Sequence, residues 1–191
     1  TMMQPIATGA PEWRLRFTPP ESGAYSVSIA IKTNGLLYAL ATTNFSVTGS
    51  SPARYGYARV AAANQYFQTT DGQALRLNGL NVAWWTTQGT YDFDRWFTAL
   101  ENAGANFARV WVCPWSFGVE HPAGSRTNYS LLNTWQLDYV LQLAEQKGIY
   151  VQLCLDYHGM FEVTPDVWGG NNYWPRHPYN TTNGGPCINQ N

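Results

Sequence analysis

Between Leu77 and His158 the chain alternates twice between an apolar run and an amphipathic one, and this order limits the possible folds more than any other feature of the sequence. The first run, Leu77-Asn78-Gly79-Leu80-Asn81-Val82-Ala83-Trp84-Trp85, reads as a strand with polar interruptions. A helix follows with its limits written into it. Asp92 can cap its start, Phe93, Trp96, Phe97 and Leu100 fall at i, i+3, i+4 and i+7, and Gly104 suits the left-handed residue that closes a helix. A second strand runs from Asn106 to Cys113 and stops at Pro114. The next helix is expected over about Thr134 to Lys147, with Leu137, Val140, Leu141 and Ala144 on one face and Gly148 behind it, and a strand from Ile149 to Tyr157 comes straight after. Strand, helix, strand, helix, strand with short connections predicts βαβ units and a parallel sheet. In such sheets chemistry collects at the C-terminal ends of the strands.

The region ahead of this has a different period. Trp13, Leu15 and Phe17, then Tyr25, Val27, Ile29 and Ile31, then Leu36 to Ala41, then Phe45 and Val47 alternate with polar residues, as half-buried strands do. Pro19-Pro20-Glu21-Ser22-Gly23 and Asn34-Gly35 supply the turns, so the strands are expected to be antiparallel. About four strands are present, part of a sandwich rather than a whole one. Gly49-Ser50-Ser51-Pro52 marks a linker. The expected division is residues 1–50 as a partial N-terminal β-sandwich, 51–57 as linker and 58–191 as the α/β unit. Within the last, Asp71-Gly72 joins Tyr66–Thr70 to Gln73–Leu77 as a two-residue hairpin.

Each strand of the α/β unit ends in polar groups and indoles. The first ends at Asn81, Trp84 and Trp85; the second at Arg109, Trp111, Cys113 and Trp115; the third at Asp156, Tyr157 and His158. Alternation places Arg109, Trp111 and Cys113 on one face, and Cys154, Asp156 and His158 on one face. A long stretch follows that is rich in rings and side-chain amides, including Trp168, Asn171, Asn172, Tyr173, Trp174, Tyr179 and Asn180. It suits a substrate platform, or a loop packing its own aromatics over the rim.

Composition narrows the partner. Charged residues are 12% of the chain and aromatics 15%, with nine Trp and twelve Tyr among 191 residues. Ordinary domains carry about 25% charged residues. Few charges and many flat rings fit a neutral, ring-shaped ligand, and an aromatic face covers the C–H face of a sugar well. A Trp-rich core is the plainer reading of the same numbers. The net charge of −1 comes with no Lys/Arg run, so no nucleic acid is expected, and no apolar run is long enough to predict a membrane partner. The three cysteines, Cys113, Cys154 and Cys187, lack metal-ligand spacing; one disulfide with a free thiol, or buried free thiols, are both open. No metal and no cofactor is expected.

Leu77-Asn78-Gly79-Leu80-Asn81, Asn106-Phe107-Ala108-Arg109-Val110 and Leu155-Asp156-Tyr157-His158-Gly159 resemble the first three strand motifs of family-5-like glycoside hydrolases of the large retaining clan. The preceding segment is similar to the N-terminal sandwich found ahead of such enzymes. The resemblance implies a fold of the α/β class: the first three or so units of a TIM-type (β/α)8 barrel, preceded by part of an antiparallel β-sandwich. It also implies a secreted, cellulase- or mannanase-like enzyme hydrolysing the O-glycosidic bonds of a β-linked plant cell-wall-type glycan, so the expected partner is a polysaccharide or oligosaccharide substrate. Both catalytic carboxylates are then expected beyond Asn191, so residues 1–191 alone are expected to be inactive and to need the remainder of their own polypeptide. By the same resemblance Arg109, His158, Asp156 and Asn81 support the active site. Arg109 lies near the nucleophile, His158 borders the scissile subsite, and Asp156 orients. The substrate contacts expected are Trp84, Trp85, Trp111, Trp115, Tyr157, Trp168 and Trp174. Glu120 and Glu162 are the carboxylates nearest the rim in sequence. A noncatalytic carbohydrate-binding or structural module is the alternative.

Overall fold

The computed structural model describes residues 19, 22–48, 56–63, 65–120, 129–165 and 172–189. The strand expected around Trp13, Leu15 and Phe17, the linker residues 51–55 and the expected contact Trp168 lie outside these.

Three separate sheets form. In the first, β1 (Gly23–Thr33) pairs antiparallel with β2 (Leu36–Val47), closed by Asn34 and Gly35 at φ 50° and 78°. Two successive positive φ angles are what a tight hairpin turn needs, and Asn-Gly supplies them at least cost. The second is an antiparallel sheet of β3 (Ala58–Val60), β4 (Phe67–Thr69) and β5 (Ala74–Leu75) in sequence order. Its β4–β5 turn uses Gly72 at φ 86°, whose N–H donates to the Thr69 carbonyl at 2.9 Å.

The third sheet is parallel. It comprises β6 (Gly79–Ala83), β7 (Phe107–Trp111) and β8 (Tyr150–Cys154) in the order β6-β7-β8, with α1 (Tyr91–Asn102) and α2 (Leu131–Gln146) as the crossovers. Asn106 ties its lower end together. The Asn106 side chain accepts from the Asn78 N–H and donates to the Arg76 carbonyl, both at 2.9 Å. The main core of the unit lies between the sheet and the helices. Phe93, Phe97 and Leu100 of α1, Ala108 and Val110 of β7, Val140, Leu143 and Ala144 of α2, and Phe117 and Ile149 are all buried together. Apolar residues at helical spacing thus meet the alternate residues of the central strand, as the periodicity requires. Tyr139 of α2 also donates to Asp94 of α1 at 2.6 Å, fixing the two helices against each other.

Local boundaries differ from expectation in several places. The third strand, expected to reach Tyr157, ends at Cys154, so Asp156 and His158 lie beyond it and not on its face. The second helix begins a turn earlier, at Leu131, because the Ser130 hydroxyl accepts from the Asn133 N–H at 3.2 Å and caps it there. Asp92 does not cap the first helix. Its carboxylate turns back to accept from the Thr86 N–H (2.7 Å) and hydroxyl (2.8 Å), holding the strand-to-helix turn instead.

Two larger expectations are overturned. The structure is not the opening of a TIM-type (β/α)8 barrel. Among the described residues it contains three small sheets of mixed kind and two α-helices, and the parallel sheet is a three-stranded one in which β6 and β8 each pair only with β7. The βαβ pattern dictates parallel pairing and helices on one face; closure depends on strand number, tilt and stagger, which that pattern does not encode. Nor is there part of a β-sandwich: among the described residues β1 and β2 pair only with each other, and most of their side chains are exposed. Alternation identifies a strand with one better-covered face, as Tyr25, Val27 and Ile29 show, but not the sheet that would cover it.

Candidate functional site

With α1 and α2 on one face of the parallel sheet, the opposite face presents Phe107, Arg109 and Trp111 of β7. The register sets Asn81, Arg109 and Gln152 side by side across the three strands, and Trp111 beside Cys154. A polar row therefore crosses the middle of this face, with indoles at its C-terminal end.

The indoles are brought together by an irregularity. Asn81 pairs with Arg109, but the next pairing is Ala83 with Val110, so β6 holds one residue more than β7 at this point. Ala83 adopts φ 43° to accommodate it. Such a bulge reverses the alternation beyond it. Trp84 consequently joins Trp111 on the open face, with ring centroids 5.5 Å apart, while Trp85 turns to the helix side and packs edge-on to Phe117 at 4.6 Å.

A second strained position sits after β7. Phe117 has φ 60° and is fully buried in the helix-side core. The turn ahead of it is closed by paired backbone hydrogen bonds between Cys113 and Ser116, each 2.9 Å, and it projects Trp115 outward. Trp84 and Trp115 meet edge to face at 5.4 Å, and both remain more than a third exposed, at 37% and 36%. Beneath them Tyr157, 4% exposed, packs against Trp115 at 4.8 Å and lies parallel to Trp111 at 6.4 Å. Tyr173 flanks both Trp115 and Tyr157. Two non-glycine residues in left-handed conformations at one rim are the kind of stored strain that collects at binding sites.

The other expected residues are placed as follows. The Arg109 guanidinium lies over the Trp111 ring at 5.3 Å, and its Nε donates to Cys154 Sγ at 3.1 Å; among the described residues no carboxylate pairs with it. His158 opens a 3-10 turn (His158–Phe161) and sets its ring edge-on to Tyr157 at 5.4 Å. Trp174 is buried against Phe161 and His177 rather than at the exposed rim. Glu162 is exposed. The three cysteines are free, and burial pushes the Cys113 thiol up to about 12. Among the described residues no group of His, Cys, Asp and Glu could hold a metal ion, and no helix is long and apolar enough to cross a membrane.

One grouping has no counterpart in the sequence reading. Glu120 from the loop after β7, Asp156 after β8, and Tyr179 and His177 from the last segment act on one another electrostatically. The Tyr179 hydroxyl is hydrogen-bonded to the Glu120 side chain. Burial, with the charge of Glu120 beside it, raises the Asp156 carboxyl to about 6. Nothing in the spacing of these four residues announces that they meet.

A carboxyl raised above its unfolded value of 3.8 stabilises the fold below that value and loses the contribution as pH rises through about 6. Asp156→Asn is therefore expected to stabilise the protein at pH 8. The full shift corresponds to about 3 kcal/mol; the group is only half-buried, and solvent screening reduces this to about 1 kcal/mol. Thermal melts at pH 8 and pH 4 check it, since the gain must vanish at the lower pH.

A separate cavity lies away from this rim. A cleft of about 870 Å3, lined by Tyr57, Val60, Phe67, Leu77, Phe107 and Tyr150 among others, opens at the N-terminal end of the parallel strands. Its one guanidinium, Arg59, donates to the Thr70 carbonyl.

Comparison with known proteins finds no match to a family model, a curated protein or a solved structure.

Proposed function

We propose that the rim formed by Trp84, Trp111 and Trp115 binds a β-linked polysaccharide of the plant cell-wall type, and that it serves a retaining glycoside hydrolase acting outside the cell. One observation carries the binding: two partly exposed indoles, edge to face at 5.4 Å, stand at the end of an open sheet face that also presents Asn81, Arg109 and Gln152. Rings cover the apolar faces of sugar units, and the amides and guanidinium bond their hydroxyls without requiring a charge on the ligand. Asp156, protonated below about pH 6, can donate to a hydroxyl or accept from one. The hydrolysis part rests on the resemblance of the three strand-end motifs. A retaining mechanism needs two carboxylates about 5–5.5 Å apart, one attacking the anomeric carbon and one passing the proton.

Calorimetric titration with β-1,4-linked gluco- and manno-oligosaccharides tests the binding. The parent is expected to bind at least one series, and Trp84→Ala to weaken it about tenfold, the worth of one ring contact. Failure of the parent to bind any β-linked glycan would falsify the reading. Reducing-end release with retained anomeric configuration separates the hydrolase from a noncatalytic binding module.

A further inference from the structure

The segment from Tyr173 to Cys187 is organised around a single imidazole. His177 is 1% exposed and enclosed by the rings of Phe161 at 5.4 Å, Trp174 at 5.4 Å and Tyr179 at 5.2 Å. Its backbone takes part as well. The His177 N–H donates to the Trp174 carbonyl at 3.0 Å, and its carbonyl accepts from the Asn180 N–H at 3.1 Å and from Asn183 Nδ2 at 3.0 Å. Asn180 Nδ2 also donates to the Trp174 carbonyl, at 3.0 Å. At the start of the segment Tyr173 touches Trp115 and Tyr157 of the rim.

The protonation state of the ring follows from one hydrogen bond. His177 Nδ1 accepts from the Tyr179 N–H at 3.1 Å. A nitrogen that accepts holds no proton, so the ring is neutral and its proton sits on Nε2. Nε2 is buried with no hydrogen-bond partner among the described residues. A second proton would leave two buried N–H groups without an acceptor and set one of them against the Tyr179 N–H.

We propose that His177 is a proton-operated latch: the neutral imidazole fastens residues 173–187 beside the aromatic rim, and protonation of Nδ1 releases them. Several ionisable groups bear on the equilibrium. Glu120, on the loop after β7, favours the protonated form, and Tyr179 is hydrogen-bonded to Glu120. Asp156 lies at the end of β8, Arg176 stacks on Tyr173 at 4.5 Å, and His158 and Glu162 flank the turn that carries Phe161. Stacking of a cation on the enclosing rings recovers part of the cost. Burial outweighs these and lowers the His177 pKa below its usual 6.5. A base depressed in this way contributes its full stability above about pH 6.5 and loses it as pH falls through the folded value. The latch is closed at neutral pH and opens on acidification.

The chain has only three histidines, His121, His158 and His177, so their ring protons can be followed individually by NMR. His177 is expected to titrate below 6.5 and to show the Nε2-protonated tautomer at pH 7. Hydrogen exchange across 173–187, corrected for intrinsic rates, is expected to lose about tenfold in protection as that titration proceeds, the worth of the released hydrogen bonds. The amides of α1 should stay protected throughout. His177→Asn keeps an acceptor for the Tyr179 N–H but cannot titrate, so its protection should be flat across the same range. The latch is refuted by a His177 that titrates at or above 6.5, by protection of 173–187 that ignores its titration, or by a folded His177→Asn protein that loses protection as the parent does. None of these readouts requires a sugar, so the outcome is separate from that of the binding proposal.

Discussion

Gly79→Ala is expected to prevent β6 from pairing with β7 and to cost about 3 kcal/mol, the upper end for forcing atoms into an occupied space. Gly79 opens β6 directly beside Phe107, and a methyl group on its α-carbon would overlap the Phe107 carbonyl. Side chains can swing away from an intruding methyl, but this neighbour is backbone. It is held on both sides, since Asn106 is clamped to Asn78 and Arg76, and Ala108 is fully buried under the helices. Relief therefore requires β6 to move, carrying Asn81 and Trp84 with it. The expected result is a large fall in the urea midpoint together with loss of oligosaccharide binding, compared with the parent in the same polypeptide. A change below about 0.5 kcal/mol, the scale of an ordinary surface substitution, would show that the close approach of the two strands is not real.

Phe93→Ala should cost about 4 kcal/mol, in the range for truncating a fully enclosed aromatic ring. Phe93 is 0% exposed and touches the rings of Trp96 at 5.3 Å, Phe97 at 5.5 Å and Phe117 at 5.4 Å. The last contact makes the effect more than one of stability. Phe117 holds a left-handed conformation because its ring is anchored in this cluster, and the turn it closes projects Trp115. Domains have only about 5–15 kcal/mol in total, so the variant keeps a marginal fold at best. Tyr91→Ala, on the same helix but 44% exposed, is the control and should change stability by less than 1 kcal/mol. Equal losses from the two substitutions would mean that α1 does not pack through the face described.

The alternating order of strand and helix was legible from residue pattern alone. Phe93, Trp96, Phe97 and Leu100 mark the buried stripe of α1, and Gly104 and Gly148 adopt φ 70° and 68° behind the two helices, as a closing glycine should. Asn34-Gly35 and Asp71-Gly72 are likewise turns whose chemistry is local. Closure and layering were not legible. Five-residue strands and two crossover helices obey the same alternation whether the sheet ends, continues or curls, so the barrel and sandwich expectations went beyond what periodicity contains. The site divides along the same line. Trp111 could be placed at a strand end and Trp115 just past it by counting, whereas Arg109, expected at the end, sits mid-strand between Asn81 and Gln152. The grouping of Glu120 with Asp156 and Tyr179 joins residues up to 59 positions apart (120 to 179) and depends on how two loops fold back. The different fates of Trp84 and Trp85 depend on a bulge, and strict alternation assigns each of them the wrong side.

That extra residue in β6 also bears on how the chain can vary in length. Removing one residue between Asn81 and Trp84 would restore the regular register and leave the side-chain directions beyond it unchanged, because a single residue would then stand opposite Val110 and Trp84 would still follow on the open face. In a strand without a bulge, losing one residue sends a polar group into the core and an apolar one into water. Here the bulge already holds the residue that would be lost, so Trp84 would keep its place beside Trp111 and Trp85 its place against Phe117. The bulge makes this strand end tolerant of losing one residue, the kind of change that strands ordinarily survive worst.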